Sequence, residues 1–399
     1  MARHSADVTV IGLGAMGSAA LYQLARRGVS VTGIDRFTPP HDRGSSHGES
    51  RITRQAIGEG EEYVPLALRS HDIWRELEAD TGRSLLSPIG GLIVGRRTDS
   101  GLHGQADFVG RTIAAARRFR IEHEVLTSGE VTKRFPQFRF EGDETCYYEP
   151  GAGFLRPELC VATQLDRARA LGAAVRTGEV VTRVAADAIS VTVVTDAATY
   201  TAGHVIVTAG AWVPRLLGGV YAKALRVYPQ TVYWFAPDDA AAFTAGRCPI
   251  FIWRHGGGEN DHFYGFPIVG EGVKLATEQF SHTIEPDDLR QTPSTADAQR
   301  MYEVQVRPRL LGVSARCVRA LTCLYTVAPG FGFVIDRHPE WERVFVASPC
   351  SGHGFKHSAA IGEAIAERVI GGASRLDLAP FSLARLISSA RSDGLESAS

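Results

Sequence analysis

The 399 residues predict a mixed α/β (α+β) fold, in which a domain built on a parallel sheet is interrupted by one built on an antiparallel sheet. Three observations carry that reading. The chain opens with strand, glycine turn, helix and strand in "VTVIGLGAMGSAALYQLARRGVSVTGID". An apolar strand runs into a second glycine turn at "HVIVTAGAW" (His204 to Trp212), and a third does so at "SPCSGHGFKHS" (Ser348 to Ser358). Parallel strands are joined by crossovers, so strands far apart in sequence can share one sheet.

The elements follow in order. Val8 to Ile11 reads as a buried strand, Ala15 to Arg27 as a helix with small residues on one side, and Ser30 to Ile34 as a strand ending at Asp35. A loop rich in Pro, Gly, Ser and His ("TPPHDRGSSHGES") leads to a helix opened by Pro65 and closed by Gly82, with Leu66, Ile73, Trp74 and Leu77 near one face. From Ile89 to Cys146 strand and helix patterns alternate, with a helix around Phe108 to Phe119, and Leu159 to Leu171 predicts another. Residues 222–318 are rich in Trp, Tyr and Phe, as expected for an antiparallel sheet walling a pocket. A strand at Val344 to Ala347 and a helix from Ser358 to Val369 close the chain. The parallel-sheet domain is therefore expected over 1–88, 147–221 and 319–399, and the inserted domain over 89–146 and 222–318.

Composition narrows the function. A formal charge of -1 argues against nucleic acid as a partner. No apolar run approaches the roughly 20 residues that span a bilayer, and no basic-then-apolar leader opens the chain. A cytoplasmic protein without a membrane partner is expected. The six cysteines form no CxxC pair and no zinc spacing, which predicts reduced thiols and no metal site.

Gly12, Gly14 and Gly17 form G-x-G-x-x-G between a strand and a helix, with Asp35 ending the next strand. The first glycine permits the turn, the second lets backbone meet a pyrophosphate, and the third lets helix and strand pack closely. The helix N-terminus offers N–H groups to the phosphates, and Asp35 is placed to accept from a ribose. A Rossmann-like dinucleotide site follows. A nicotinamide enzyme has no need of late glycine turns, whereas FAD, threading both halves of the chain, explains Ala209, Gly210 and Trp212 in "VTAGAW" and Gly352 and Gly354 in "CSGHGFK".

The segments "GSSHGESRITRQAIGEGEEYVPLALRS", "YGFPIVGEGVKLA", "TCLYT", "FVIDRHPE" and "SGHGFK" occur in that order, and with them the chain resembles the monomeric sarcosine oxidases and N-methyltryptophan oxidases. These are flavoproteins of the D-amino-acid-oxidase-like group, and the likeness covers nearly the whole chain. It implies oxidation of a secondary-amine amino acid with dioxygen as electron acceptor and hydrogen peroxide as product, by a monomer. It implies covalent FAD through Cys323, which matches the cysteine of that family's flavin thioether. Met16, Arg36, Ser45 and Val181 join the implied flavin contacts, as do His353, Phe355 and Lys356.

The resemblance also implies roles in catalysis. Arg51 and Arg54 stand three apart and share a face if that turn is helical. Arg54 and Lys356 match the residues that fork around a substrate carboxylate, and Arg51 would lie nearer the flavin ring. His47 matches an active-site histidine, or serves a turn. Lys274 matches the lysine that holds water against the flavin and promotes electron transfer to oxygen, where a fixed ammonium stabilises developing charge. Tyr264 and Tyr325 match pocket tyrosines that exclude water. Gly352 and Gly354 would let backbone N–H groups press on the pyrimidine edge of the ring.

Departures unsettle the substrate. Glu278 stands where the sarcosine oxidases have histidine, which points to a more cationic or polar substrate. Cys350 and His357 replace apolar residues, and Trp234 and Trp253 add bulk to the expected pocket. The alternatives are an oxidase or dehydrogenase of a cyclic (pipecolate- or proline-like) or sugar-modified amino acid, a flavin-binding scaffold without activity, and an NAD-dependent dehydrogenase.

Overall fold

The computed structural model describes residues 2–96, 103, 105–256, 258, 261–289 and 292–392. The run from Ala2 to Ile11 forms one strand, longer than its apolar part alone predicts, and lies inside an eight-stranded sheet. One edge pairs in parallel with Val31–Asp35 and the other with Ala198–Val207. Ala198–Val207 then divides its far edge. Its first half takes the antiparallel strand Val191–Thr195, and its last residues take Val344–Ser348 in parallel. Ile11 stands opposite Val207, and Val207 opposite Val346. Three chain segments thus end at one level, and their loops gather at the carboxyl edge, where open α/β sheets bind ligands.

The helix Ala15–Arg26 covers this sheet and packs on the helices Pro157–Ala170 and Ser358–Gly371. Small residues allow the approach: a Cβ at Gly362 would lie 2.5 Å from that of Ala19. The helix Val64–Thr81 starts with proline in its first turn and ends on left-handed Gly82, as the sequence signals predict. The helix Phe108–Phe119 has its predicted ends.

The second sheet also has eight strands, in the order Val313–Val327, Arg226–Pro237, Val273–Ala276, His262–Phe266, Ile250–Arg254, Gly91–Gly95, Thr145–Glu149 and Glu124–Thr127. It is antiparallel except where Ile250–Arg254 runs parallel to Gly91–Gly95. Two expected boundaries cut through its strands. Val313–Val327 pairs with Arg226–Pro237 from end to end, so residues 319–327 belong to this sheet. Thr145–Glu149 crosses the other cut. "CVRALTCLYTV" contains no turn residue, so nothing in it marks where one sheet hands over to the other.

All six cysteines are free thiols. Among the described residues no helix is long and apolar enough to cross a membrane.

Candidate active site

A cavity of about 490 Å³ opens at the carboxyl edge of the parallel sheet, and residues from all three gathered segments line it. Gly12, Gly14, Met16, Asp35, Arg36 and Ser45 come from the first, Val181, Ala209, Gly210 and Trp212 from the middle, and Gly352, Gly354 and Phe355 from the last. Gly12 has φ +85°, and a Cβ there would lie 2.7 Å from the Ala209 Cα, so only glycine makes this turn. Gly17 is set back from the cavity; its missing Cβ would sit 1.8 Å from the Gly12 carbonyl oxygen, which fits the expected packing role. The Asp35 carboxylate accepts the backbone N–H of Leu13 at 2.7 Å and of Phe37 at 2.7 Å. These anchor it at the cavity wall with lone pairs to spare. A long cavity, a glycine cradle at a helix N-terminus and a fixed carboxylate are what FAD requires.

Arg51–Thr53 is a short strand paired with Gly153–Leu155, which overturns the helical-face argument for the two arginines. Strand neighbours alternate, so residues three apart face opposite ways. Arg51 lines the cavity and donates to the carbonyls of Ser45 at 2.7 Å and Ser50 at 2.9 Å. Lys274 reaches the same loop, where its ammonium donates to Gly48 O at 2.7 Å, Ser50 O at 2.8 Å and Ser50 Oγ at 3.2 Å. It lies over the rings of Phe266 and Trp234, at 4.7 and 5.5 Å. Burial and then the Arg51 charge push its pKa well down. All three ammonium donors are spent within the loop, so Lys274 offers charge rather than a grip on water.

Cys323 is buried nearby; burial raises its thiol pKa while the Arg51 and Lys274 charges pull it back. Tyr264 stands beside Tyr325, which lines the cavity. His47 bonds to the loop itself, its Nε2 donating to Gly44 O at 3.0 Å. Burial and the Arg51 charge lower its pKa to about 4, so it is neutral and serves the turn.

Arg54 does not line the cavity; its Nη2 donates to Glu59 Oε2 at 2.5 Å and its Nη1 to Ala56 O at 2.6 Å. Lys356 is buried and donates to His353 O at 2.7 Å. Burial lowers its pKa to about 7, although the Glu59 charge resists the fall. The His353 ring turns from the cavity and stacks on Phe333, with centroids 4.6 Å apart, so its side chain is not a flavin contact. Lys356 likewise stands behind Phe355 rather than lining the cavity.

Glu278 does not present an open anion. His103 Nε2 lies 2.8 and 3.0 Å from its two oxygens, and His262 Nε2 lies 3.3 Å from one of them. Burial works to raise its pKa, but His103 holds the carboxyl far below the usual range. The expected attraction for a cationic substrate therefore fails: the charge is already matched within the protein. Trp253 is also displaced from the expected pocket, stacking instead on Phe140 and Phe263 in the core of the antiparallel sheet. Trp234 donates to Glu49 Oε2 at 3.1 Å, beside Lys274.

The FAD dependent oxidoreductase family, DAO, matches residues 7–368. The chain belongs to that family. A monomeric sarcosine oxidase of Streptomyces avermitilis is 37% identical over 387 residues, covering 95% of this chain and 97% of its own. An N-methyl-L-tryptophan oxidase of Yersinia pestis is 36% identical over 382 residues, covering 95% and 99%. Among solved structures, an open form of NikD, an unusual amino acid oxidase essential for nikkomycin biosynthesis, superposes with a TM-score of 0.83 at 25% identity, over 95% and 97% of the chains. This FAD-dependent oxidoreductase thus stands among the sarcosine and N-methyltryptophan oxidases, and its sequence resemblance to them holds.

Three residues of the site escape sequence reasoning: Glu59, His103 and His262. Glu59 falls within the first segment of the resemblance but is not singled out by it, and His103 and His262 lie outside the quoted segments. Glu278, two residues past the strand Val273–Ala276, is the one available signal, since a buried carboxylate needs a partner.

Proposed function

We propose that this protein oxidises the secondary amine of an N-alkyl amino acid such as sarcosine and passes the electrons to dioxygen, releasing hydrogen peroxide. The observation that carries the reading is two groups of cations, half-buried Arg51 of the cavity wall with buried Lys274, and buried Arg54 with buried Lys356 around Glu59. FAD, when bound, supplies the two-electron acceptor. Arg54 and Lys356 take the substrate carboxylate, the first by giving up part of its hold on Glu59. The Tyr264–Tyr325 pair excludes water, so the amine is held as the neutral base. Lys274 and Arg51 provide fixed positive charge where negative charge develops on oxygen.

Cys323 is the attachment point for the flavin. The bond would replace the Cys323 S–H and one flavin C–H with a carbon–sulfur bond, and dioxygen would take the two protons and two electrons released as hydrogen peroxide. Arg51 and Lys274 favour the thiolate this requires. The test is acid precipitation of the purified yellow protein. Colour is expected in the pellet, and in the supernatant for Cys323→Ala; colour that stays in the pellet of that variant assigns the bond elsewhere. Peroxide formed from sarcosine or another N-methyl amino acid under air supports the reaction, and anaerobic bleaching without peroxide under air turns it into a dehydrogenase.

A further inference from the structure

Arg54, His103 and Lys356 converge on one carboxylate, that of Glu59. Arg54 Nη2 donates to Glu59 Oε2 at 2.5 Å, His103 Nδ1 stands 3.6 Å from Oε1, and the Lys356 ammonium acts on the same group from within the cluster. Both nitrogens of His103 face carboxylates, Nε2 toward Glu278 and Nδ1 toward Glu59, an arrangement that keeps a proton on each. Burial opposes that charge, yet the carboxylate of Glu278 and then that of Glu59 lift the pKa to about 9.

The two nitrogens are not equally served. Nε2 is bonded to Glu278, whereas 3.6 Å is beyond hydrogen-bond reach, and His103 Nδ1 has no hydrogen-bond partner among the described residues although the side chain is only 5% exposed. Arg54 Nε is also buried without a partner. Unmatched buried donors are costly, and two of them at one spot mark where an acceptor belongs. The cluster adjoins the flavin cavity at the other ring nitrogen: a Cβ at Gly352, which lines the cavity, would lie 2.6 Å from Glu278 Oε1 and 3.1 Å from His103 Nε2. With Lys356 protonated, three cations face the two carboxylates Glu59 and Glu278, one positive charge in excess; burial raises the pKa of Glu149, the other carboxyl that feels Arg54.

We propose that His103 is a third donor to the substrate carboxylate, through Nδ1, and that the site admits amino acids with one carboxylate and an uncharged side chain. The inference rests on the amino-acid reading above. One carboxylate satisfies both open donors and neutralises the cluster. A basic side chain would restore the excess, and a second carboxylate would reverse it. Glu278 is the positioning residue that keeps the imidazole doubly protonated and turned toward the site.

The test uses the FAD-loaded protein and two unreactive ligands, methoxyacetate, which is sarcosine with oxygen in place of nitrogen, and its uncharged amide. Binding is followed by perturbation of the flavin spectrum. His103→Gln is expected to weaken methoxyacetate about tenfold, the size of a lost charge-assisted hydrogen bond, and to leave the amide within about twofold. Crystals of the unmodified protein with methoxyacetate are expected to place a carboxylate oxygen within hydrogen-bond distance of His103 Nδ1. That measurement carries the test if the variant fails to fold. An unchanged affinity for methoxyacetate, an equal loss for both ligands, or a carboxylate out of reach of Nδ1 overturns the proposal. If the unmodified protein binds neither ligand, the amino-acid reading falls with it; if it binds methoxyacetate independently of His103, only the third donor is lost.

Discussion

Lys274 and Lys356 are both buried beside one cavity, and their surroundings differ in kind. Lys274 is met by two carbonyls and a hydroxyl, with Arg51 alongside; Lys356 has one carbonyl and lies within the field of Glu59 and Glu278. Burial pushes both pKa values down, that of Lys274 with the Arg51 charge adding to the fall, and that of Lys356 to about 7 with the Glu59 charge resisting it. Dipoles saturate the first ammonium and no carboxylate bonds it, with Glu158 and Glu49 acting only from further off, as suits stabilising a transient anion. The second is a cation waiting beside a replaceable counter-ion, as suits holding a carboxylate. The same residue type is thus set to two tasks by its acceptors.

The largest expected effect breaks the comparison at Lys274. Lys274→Met should slow reoxidation by dioxygen about 100- to 1,000-fold, the range for removal of a preorganised charge-stabilising group, while anaerobic reduction by substrate changes far less. Stopped-flow measurement of the two half-reactions checks this, and equal losses in both would erase the division of labour. The next effect falls on the other side. Lys356→Met should raise the KM for a carboxylate substrate about 10- to 100-fold, as expected for a lost charge-assisted contact, with reoxidation unaltered. Steady-state kinetics over a range of oxygen concentrations separates the two variants.

A smaller effect sharpens the contrast through pH. A carboxylate ligand needs Lys356 protonated, and its free pKa is about 7. Affinity should therefore be full below pH 7 and decline as pH rises through that value, with proton uptake on binding on the alkaline side. Calorimetry at pH 8 in two buffers of different ionisation heat should detect a fraction of a proton taken up, and Lys356→Met should remove it. His103 adds no step there, because Glu278 keeps it charged to about pH 9.

Much of the fold was legible because its signals are local. Gly12 and Asp35 lie within one βαβ unit, and the glycine turns at 210 and 352–354 each follow an apolar strand, so the three-segment cradle could be read from periodicity and turn chemistry. Arg51 and Arg54 show the limit: their spacing suits one helical face, but pairing with Gly153–Leu155 makes the segment a strand and sends the two guanidiniums apart. His103 and Glu278 show a deeper limit. They meet across 175 positions, and an imidazole distant in sequence stands in space beside the carboxylate at 278. Only the folded chain reveals that the carboxylate there is already matched.

The strand Ala2–Ile11 finds its neighbours at Ala198–Val207, and that strand in turn meets Val344–Ser348, with Ser358–Gly371 laid across the first helix. During synthesis the glycine turn at Gly12 emerges first and then waits for nearly the entire polypeptide to leave the ribosome before its cradle can close. The complete cradle is therefore available to a cofactor only once Gly352 and Gly354 have emerged, close to the end of synthesis.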